Sequence, residues 1–265
     1  MKCAPLALAC GLAAFASAAG AQTLYSNGAF VTHPGAHVSG EDVSLAQDVT
    51  YPGYSSLGIT AGPEWRLADD FVVPNGEIWT IDAVTLFAYQ TGSAAAFTDA
   101  RVIIWAGDPD FFGSVRMYDG NDSNVLGDSL PGPYRIAQSV QPTAPFTDTA
   151  RRVQALTIEL EEPLVLEGGV YWVDWSLLGA QAGEAVYTPP VSILGQSYTS
   201  FGGVARQKCP TTVPQQDCTP GIWRLFLNGN SQNLVDLPFV LAGTRFIDRI
   251  FIDGFDTLED EDEDP

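Results

Sequence analysis

Residues 163–178 read PLVLEGGVYWVDWSLL: an apolar run, a break at Glu167-Gly168-Gly169, then valines and aromatic rings. Glycine reaches positive φ without a Cβ clash, so the glycine pair predicts a turn and the flanking segments a β-hairpin. Val170, Val173 and the rings of Tyr171, Trp172 and Trp175 suit a pleated surface buried on at least one face. The stretch therefore predicts a core hairpin of an all-β protein.

Working outward, the same pattern recurs between clusters of Gly, Pro, Asn and Asp. WRLADDFVV (65–73) and EIWTIDAVTLFAY (77–89) flank a break at Pro74-Asn75-Gly76. In the second, Trp79, Ile81, Ala83, Phe87 and Tyr89 fall on one face at period two. ARVIIWA (100–106), residues 134–140 and residues 222–228 with Trp223, Leu225 and Leu227 alternating add further strands, as do residues 237–242. Residues 152–160 alternate most regularly, with Leu156, Ile158 and Leu160 inward and Thr157, Glu159 and Glu161 outward. No stretch longer than two turns keeps a helical period with caps. Strands at this density, without interleaved helices, predict an antiparallel β-sandwich of the jelly-roll kind. Residues 180–220, rich in Gly, Pro, Gln, Ser and Thr, read as a long excursion over one end of it.

The ends carry addresses. Residues 1–21 have the parts of a secretory signal peptide: Lys2, a small and apolar run, and Ala19-Gly20-Ala21 before the cleavage point. Cys10 follows Ala7-Leu8-Ala9, which puts alanine where a lipoprotein acylation site wants leucine, and reads as signal core. Cys209 and Cys218 then remain, and in an oxidising compartment they predict a disulfide across their own loop. The formal net charge is −20, from 32 acidic against 12 basic residues. Such a balance excludes nucleic acid and anionic membrane surfaces as partners. No segment after the signal is apolar enough to span a bilayer, since residues 237–252 carry Arg245, Asp248 and Arg249. The expected organisation is a signal peptide over 1–21, one sandwich domain over 22–245, and an edge strand or sorting signature with an acidic disordered tail over 246–265.

The segments LYSNGAFVTHPG, ADDFVVP, IWTIDAVTLFAYQTG, RVIIWAGDP and GGVYWVDW resemble a group of uncharacterised secreted β-sandwich proteins of Gram-negative bacteria. The resemblance covers most of the mature chain. Its motifs are turns and core strands, so it implies export and a jelly-roll-like fold and carries no activity over. RIFIDGFD (249–256) is similar to a short C-terminal signature, roughly IFxDGFE, found on exported proteins of such bacteria. Its two readings are a sorting signal and a last edge strand before a solvated tail.

Catalytic chemistry finds few residues to work with. There is no GxSxG, HExxH, phosphate-cradling or dinucleotide motif. His33 and His37 lie in THPGAH, where proline and glycine disfavour a helix; a copper or zinc site with Glu41 or Asp42 competes there with ordinary loop histidines. A glycosidase would need two carboxylates facing each other across a cleft. Asp174 is the notable acid, because among Trp172 and Trp175 it should have a raised pKa if buried. The other reading places it on the wetter face of the hairpin.

Binding is the class the residues suit better. Trp65, Trp172, Trp175 and Trp223 are the candidate rings for stacking on sugar faces, with Asp, Asn and Gln to pair with hydroxyls. Asp108, Asp110, Asp119, Asn121 and Asp122 crowd one loop with the hard oxygen ligands that calcium takes, although the spacing is not that of an EF-hand. Three functions are expected: glycan binding or adhesion at the cell envelope, a carboxylate-dependent glycoside hydrolase, and a structural envelope component.

Overall fold

The computed structural model describes residues 21–47, 57–181, 183–195, 203–211, 218–228 and 233–247. The expected signal peptide except Ala21, the expected C-terminal signature and the acidic tail lie outside these residues. The strands in chain order are β1 (Gln22–Ser26), β2 (Val43–Ala46), β3 (Ile59–Thr60), β4 (Leu67–Gln90), β5 (Asp99–Ala106), β6 (Val115–Gly120) and β7 (Leu126–Ala137). They continue as β8 (Arg152–Leu178), β9 (Val186–Thr188), β10 (Arg206–Lys208), β11 (Trp223–Leu225), β12 (Leu227–Asn228), β13 (Asn233–Leu234) and β14 (Phe239–Ile247). The protein is all-β and sandwich-like, with no helix among the described residues, and every strand pair is antiparallel except β2 with β7.

Two long strands build both layers. β4 and β8 pair from Leu67 opposite Trp175 to Ala88 opposite Gln154, with shifts of register between Val73 and Ile78 and between Ile81 and Ala83. Phe71 and Trp79 show what happens at the first shift. Eight residues of extended strand span roughly 26 Å, yet these two rings stack at 6.4 Å between centroids. The strand folds over itself between them. β8 folds with it, and the Tyr171 hydroxyl reaches back to donate to the Glu167 carbonyl at 2.9 Å.

Neither the turn expected at Glu167-Gly168-Gly169 nor the hairpin forms: β8 runs through these residues as one strand, and neither glycine takes a positive φ. The segments on either side pair with β4 and not with each other, and they contribute to one core from opposite layers. Gly168 permits this because a Cβ would lie 2.9 Å from the Asn75 Cα and 3.1 Å from the Pro74 carbonyl. The glycine pair and Pro74-Asn75-Gly76 are thus two sides of one corner, a place where paired strands pass from one sheet to the other.

The front layer runs β11, β10, the first half of β4, the second half of β8, β5 and β6; the back layer runs β1, β14, the second half of β4, the first half of β8, β7 and β2. Between them lie Leu67, Phe71, Ile81, Leu86, Ile104, Leu156, Ile158, Val173, Trp175 and Phe239. Removing a side chain the size of Trp175 from water contributes about 3 kcal/mol. Leu156, Ile158 and Leu160 point inward as expected, with Glu159 and Glu161 exposed.

In β4 the expected face holds only to Ile81. The bulge between Ile81 and Ala83 shifts the phase by one residue, and the core then takes Val84, Leu86 and Ala88 while Tyr89 joins a separate cluster with Phe30 and Val153. A bulge moves every later side chain to the other face. β14 bulges at the same level between Ala242 and Gly243, where a Cβ on Gly243 would lie 2.0 Å from the Thr80 carbonyl oxygen. β14 lies between β1 and β4 and extends to Ile247. Cys209 and Cys218 form the expected disulfide, with Cα atoms 5.7 Å apart.

Candidate functional site

The corner leaves the outer face of the front layer free of a covering sheet. Because Tyr171, Val173 and Trp175 point into the core, Trp172, Asp174 and Ser176 point out. On β5 the outward residues are Arg101, Ile103 and Trp105, and register places Trp105 beside Trp172 and Ile103 beside Asp174. Ala68 of β4 lies beside Asp174 on the other side, with Arg206 of β10 beyond it.

Cations lie over the rings of this face. Arg116 sits 5.0 Å above Trp105, Arg206 5.6 Å from Trp172 and Lys208 5.7 Å from Trp223. Each guanidinium or ammonium covers an aromatic ring, an arrangement that stabilises both. Asp174 is buried beneath them. Its Oδ1 accepts from Arg66 Nε at 2.6 Å and its Oδ2 from Trp105 Nε1 at 3.0 Å. Burial raises its pKa above the usual carboxylate range, and Arg66 pulls the other way.

At the end of the face where β5 begins and β8 ends, a cavity of about 340 Å³ is lined by Pro63, Arg66, Asp99, Arg101, Asn121, Ser176, Leu177 and Leu178. Arg101 is fixed by a two-pronged bond to Asp99, at 2.7 and 2.9 Å, and donates to the Asn121 carbonyl at 3.0 Å. The bond to Asp99 raises the Arg101 pKa. Arg66 donates to Asn121 Oδ1 at 2.8 Å and to Ser176 Oγ at 3.3 Å. The pocket therefore presents planar donors and acceptors already oriented by one another.

The four candidate tryptophans separate. Trp172 and Trp223 share the outer face, both buried beneath a cation. Trp175 is wholly buried on the opposite side, 6.4 Å from Phe239, and offers no face to a ligand. Trp65 is half-buried in the turn before β4, its backbone N–H donating to Gly62 at 2.9 Å. The strip of solvent-facing tryptophans is thus a floor under cations. Trp105 and Arg66 were not singled out in the sequence; the alternation Arg101, Ile103, Trp105 was the available signal for the first.

The five candidate calcium ligands are dispersed among arginines. Asp108 and Asp110 face Arg206, and Asp119 accepts from Arg116 at 2.6 Å. Burial works against Asp119, but the Arg116 and Asn121 hydrogen bonds hold it below the usual carboxylate range. Asn121 Oδ1 accepts from Arg66, and its Nδ2 donates to Asp122 at 3.2 Å. No group of three or more His, Cys, Asp or Glu among the described residues is placed to hold a metal ion. His33 Nδ1 lies 2.9 Å from the Thr32 hydroxyl, while His37 pairs with Ser39 and packs 4.2 Å from the Tyr134 ring.

No helix among the described residues is long and apolar enough to cross a membrane. Comparison with family models, with curated proteins and with solved structures finds no match to this chain.

Proposed function

We propose that this chain is an exported, non-catalytic binding module that takes a glycan in the cavity beside Arg101. The observation that carries the reading is the pairing of charge there. Arg101 is matched by Asp99 and Arg66 by Asp174, so the pocket offers fixed donors and acceptors with no unmatched charge. Such a set suits the neutral hydroxyls of a sugar, which both donate and accept. The binding role is supported over a hydrolytic one by Asp174, both of whose oxygens are already engaged. Export and envelope location are supported by the signal-peptide pattern and by a disulfide, which suits an oxidising compartment.

Thermal unfolding of the mature protein against a panel of neutral glycans tests this. A ligand bound only by the folded state raises the midpoint by mass action. At least one glycan should do so for the wild type and fail to do so for Arg101→Ala, whose side chain is partly exposed and whose loss leaves the core intact. The same scan with calcium and with a chelator isolates any metal contribution. A panel without a single shift would remove the glycan reading.

A further inference from the structure

The face has a second exposed feature at its other end. The loop from Gly107 to Ser114 joins β5 to β6, and it holds Phe112 at 97% exposure and Phe111 at 59%. The two rings lie 4.7 Å apart. Leaving a phenylalanine in water forgoes the gain of burying it, and the loop that presents it is not slack. Phe111 N–H donates to the Asp108 carbonyl at 2.9 Å, Ser114 N–H to the Phe111 carbonyl at 3.0 Å, and Gly107 N–H to Val170 of β8 at 3.1 Å. Arg206, reaching from β10, pairs with Asp108 and lies 3.9 Å from Asp110.

We infer that the ligand is an uncharged oligosaccharide long enough to reach from the Arg101 pocket, over the Arg116 side chain that caps Trp105, to the Phe111–Phe112 loop. This rests on the glycan reading above and adds length and charge to it. Strand rise puts Arg101 and Trp105 about 13 Å apart, and the phenylalanines lie beyond Trp105. A single sugar ring cannot touch both ends. Charge selects the occupant. At a formal −20 the chain repels a second copy of itself and an anionic bilayer, whereas a neutral polymer meets no such barrier. The cations along the track are matched as well, with Arg116 held by Asp119 and Arg206 by Asp108, so a uronic acid chain gains no free guanidinium.

The test is calorimetric titration of wild type, Arg101→Ala and Phe112→Ala with β-1,4-glucan, α-1,4-glucan and β-1,4-xylan ladders from disaccharide to hexasaccharide. For the ladder that binds, affinity should rise about tenfold with length, the scale of one aromatic contact. Phe112→Ala should abolish that rise and leave the disaccharide unchanged, while Arg101→Ala weakens every length. A flat ladder, or an unchanged rise in Phe112→Ala, would overturn the inference and leave the pocket reading standing. Self-association of the wild type that Phe112→Ala abolishes would assign the rings to a second copy instead. Binding by no ladder would overturn the inference, while the glycan panel above decides the pocket reading separately.

Discussion

Two aspartates, Asp69 on β4 and Asp174 on β8, are buried one register position apart, since Ala68 pairs with Asp174 and Asp69 with Val173. They occupy opposite faces of the front layer, and their surroundings differ in kind. Asp174 meets a guanidinium and an indole N–H. Asp69 meets no cation among its hydrogen-bond partners: its oxygens accept from Asn27 Nδ2 at 2.8 Å, Leu237 N–H at 2.6 Å and Asp70 N–H at 3.0 Å. Burial holds Asp69 well above the usual carboxylate range, and Asp236 and Asp70 add to the effect against the Leu237 hydrogen bond. Nearby Tyr25 is pushed up to about 12, first by burial and then by Asp70 and Asp69. Neutral dipoles can satisfy a buried carboxylate's geometry without matching its charge, whereas a guanidinium does both.

The comparison breaks most directly at Arg66. Arg66→Ala leaves Asp174 buried beside an indole alone and should cost about 3 to 5 kcal/mol in chemical denaturation; a loss near zero would mean that Asp174 is already protonated. The next effect is one of slope. A carboxyl whose folded pKa exceeds its unfolded value, about 3.9, keeps its proton in the folded chain over the interval between the two. Its stabilising contribution is greatest at low pH and falls as pH rises through that interval. Asp69→Asn removes this fall, so the stability of wild type relative to the variant should decrease from about pH 4 upward. The corresponding decrease for Asp174→Asn should be shallower, because Arg66 opposes the shift, and equal slopes would erase the distinction. The smallest effect belongs to Trp105→Phe, which keeps a ring under Arg116 but deletes the N–H donated to Asp174. About 1 kcal/mol should be lost, with the Asp174 titration, followed by carboxyl NMR, moving upward.

Much of this architecture is legible from alternation and turn residues. Leu156, Ile158 and Leu160 announce their inward face, and Cys209 and Cys218, nine residues apart, announce their bond. Asp174 stands out because an acid among aromatics has to be buried or turned away, and it proves to be buried beneath Arg66. The corner at Gly168 was not legible, because the glycine pair predicts a turn between two strands, whereas β8 runs on through it as one strand that bends with β4. The phase change after Ile81 is likewise set by register with β8, a partner some eighty residues distant in the chain. At the candidate site, cations determine which rings are covered. Arg116, Arg206 and Lys208 reach Trp105, Trp172 and Trp223 across strands, so no window of sequence containing a tryptophan reveals its cap.

The corner has a kinetic meaning as well. Because β4 and β8 run unbroken through both sheets, neither layer can form its hydrogen-bond ladder without bringing the same pair of distant segments together. Loop closure over such separations is slow to nucleate. Once closed, a slip of register in one sheet would be transmitted through the corner to the other, where it would turn a second set of side chains out of the core. The two layers should therefore protect their amides from exchange as one cooperative unit, with β4 and β8 opening only in global unfolding.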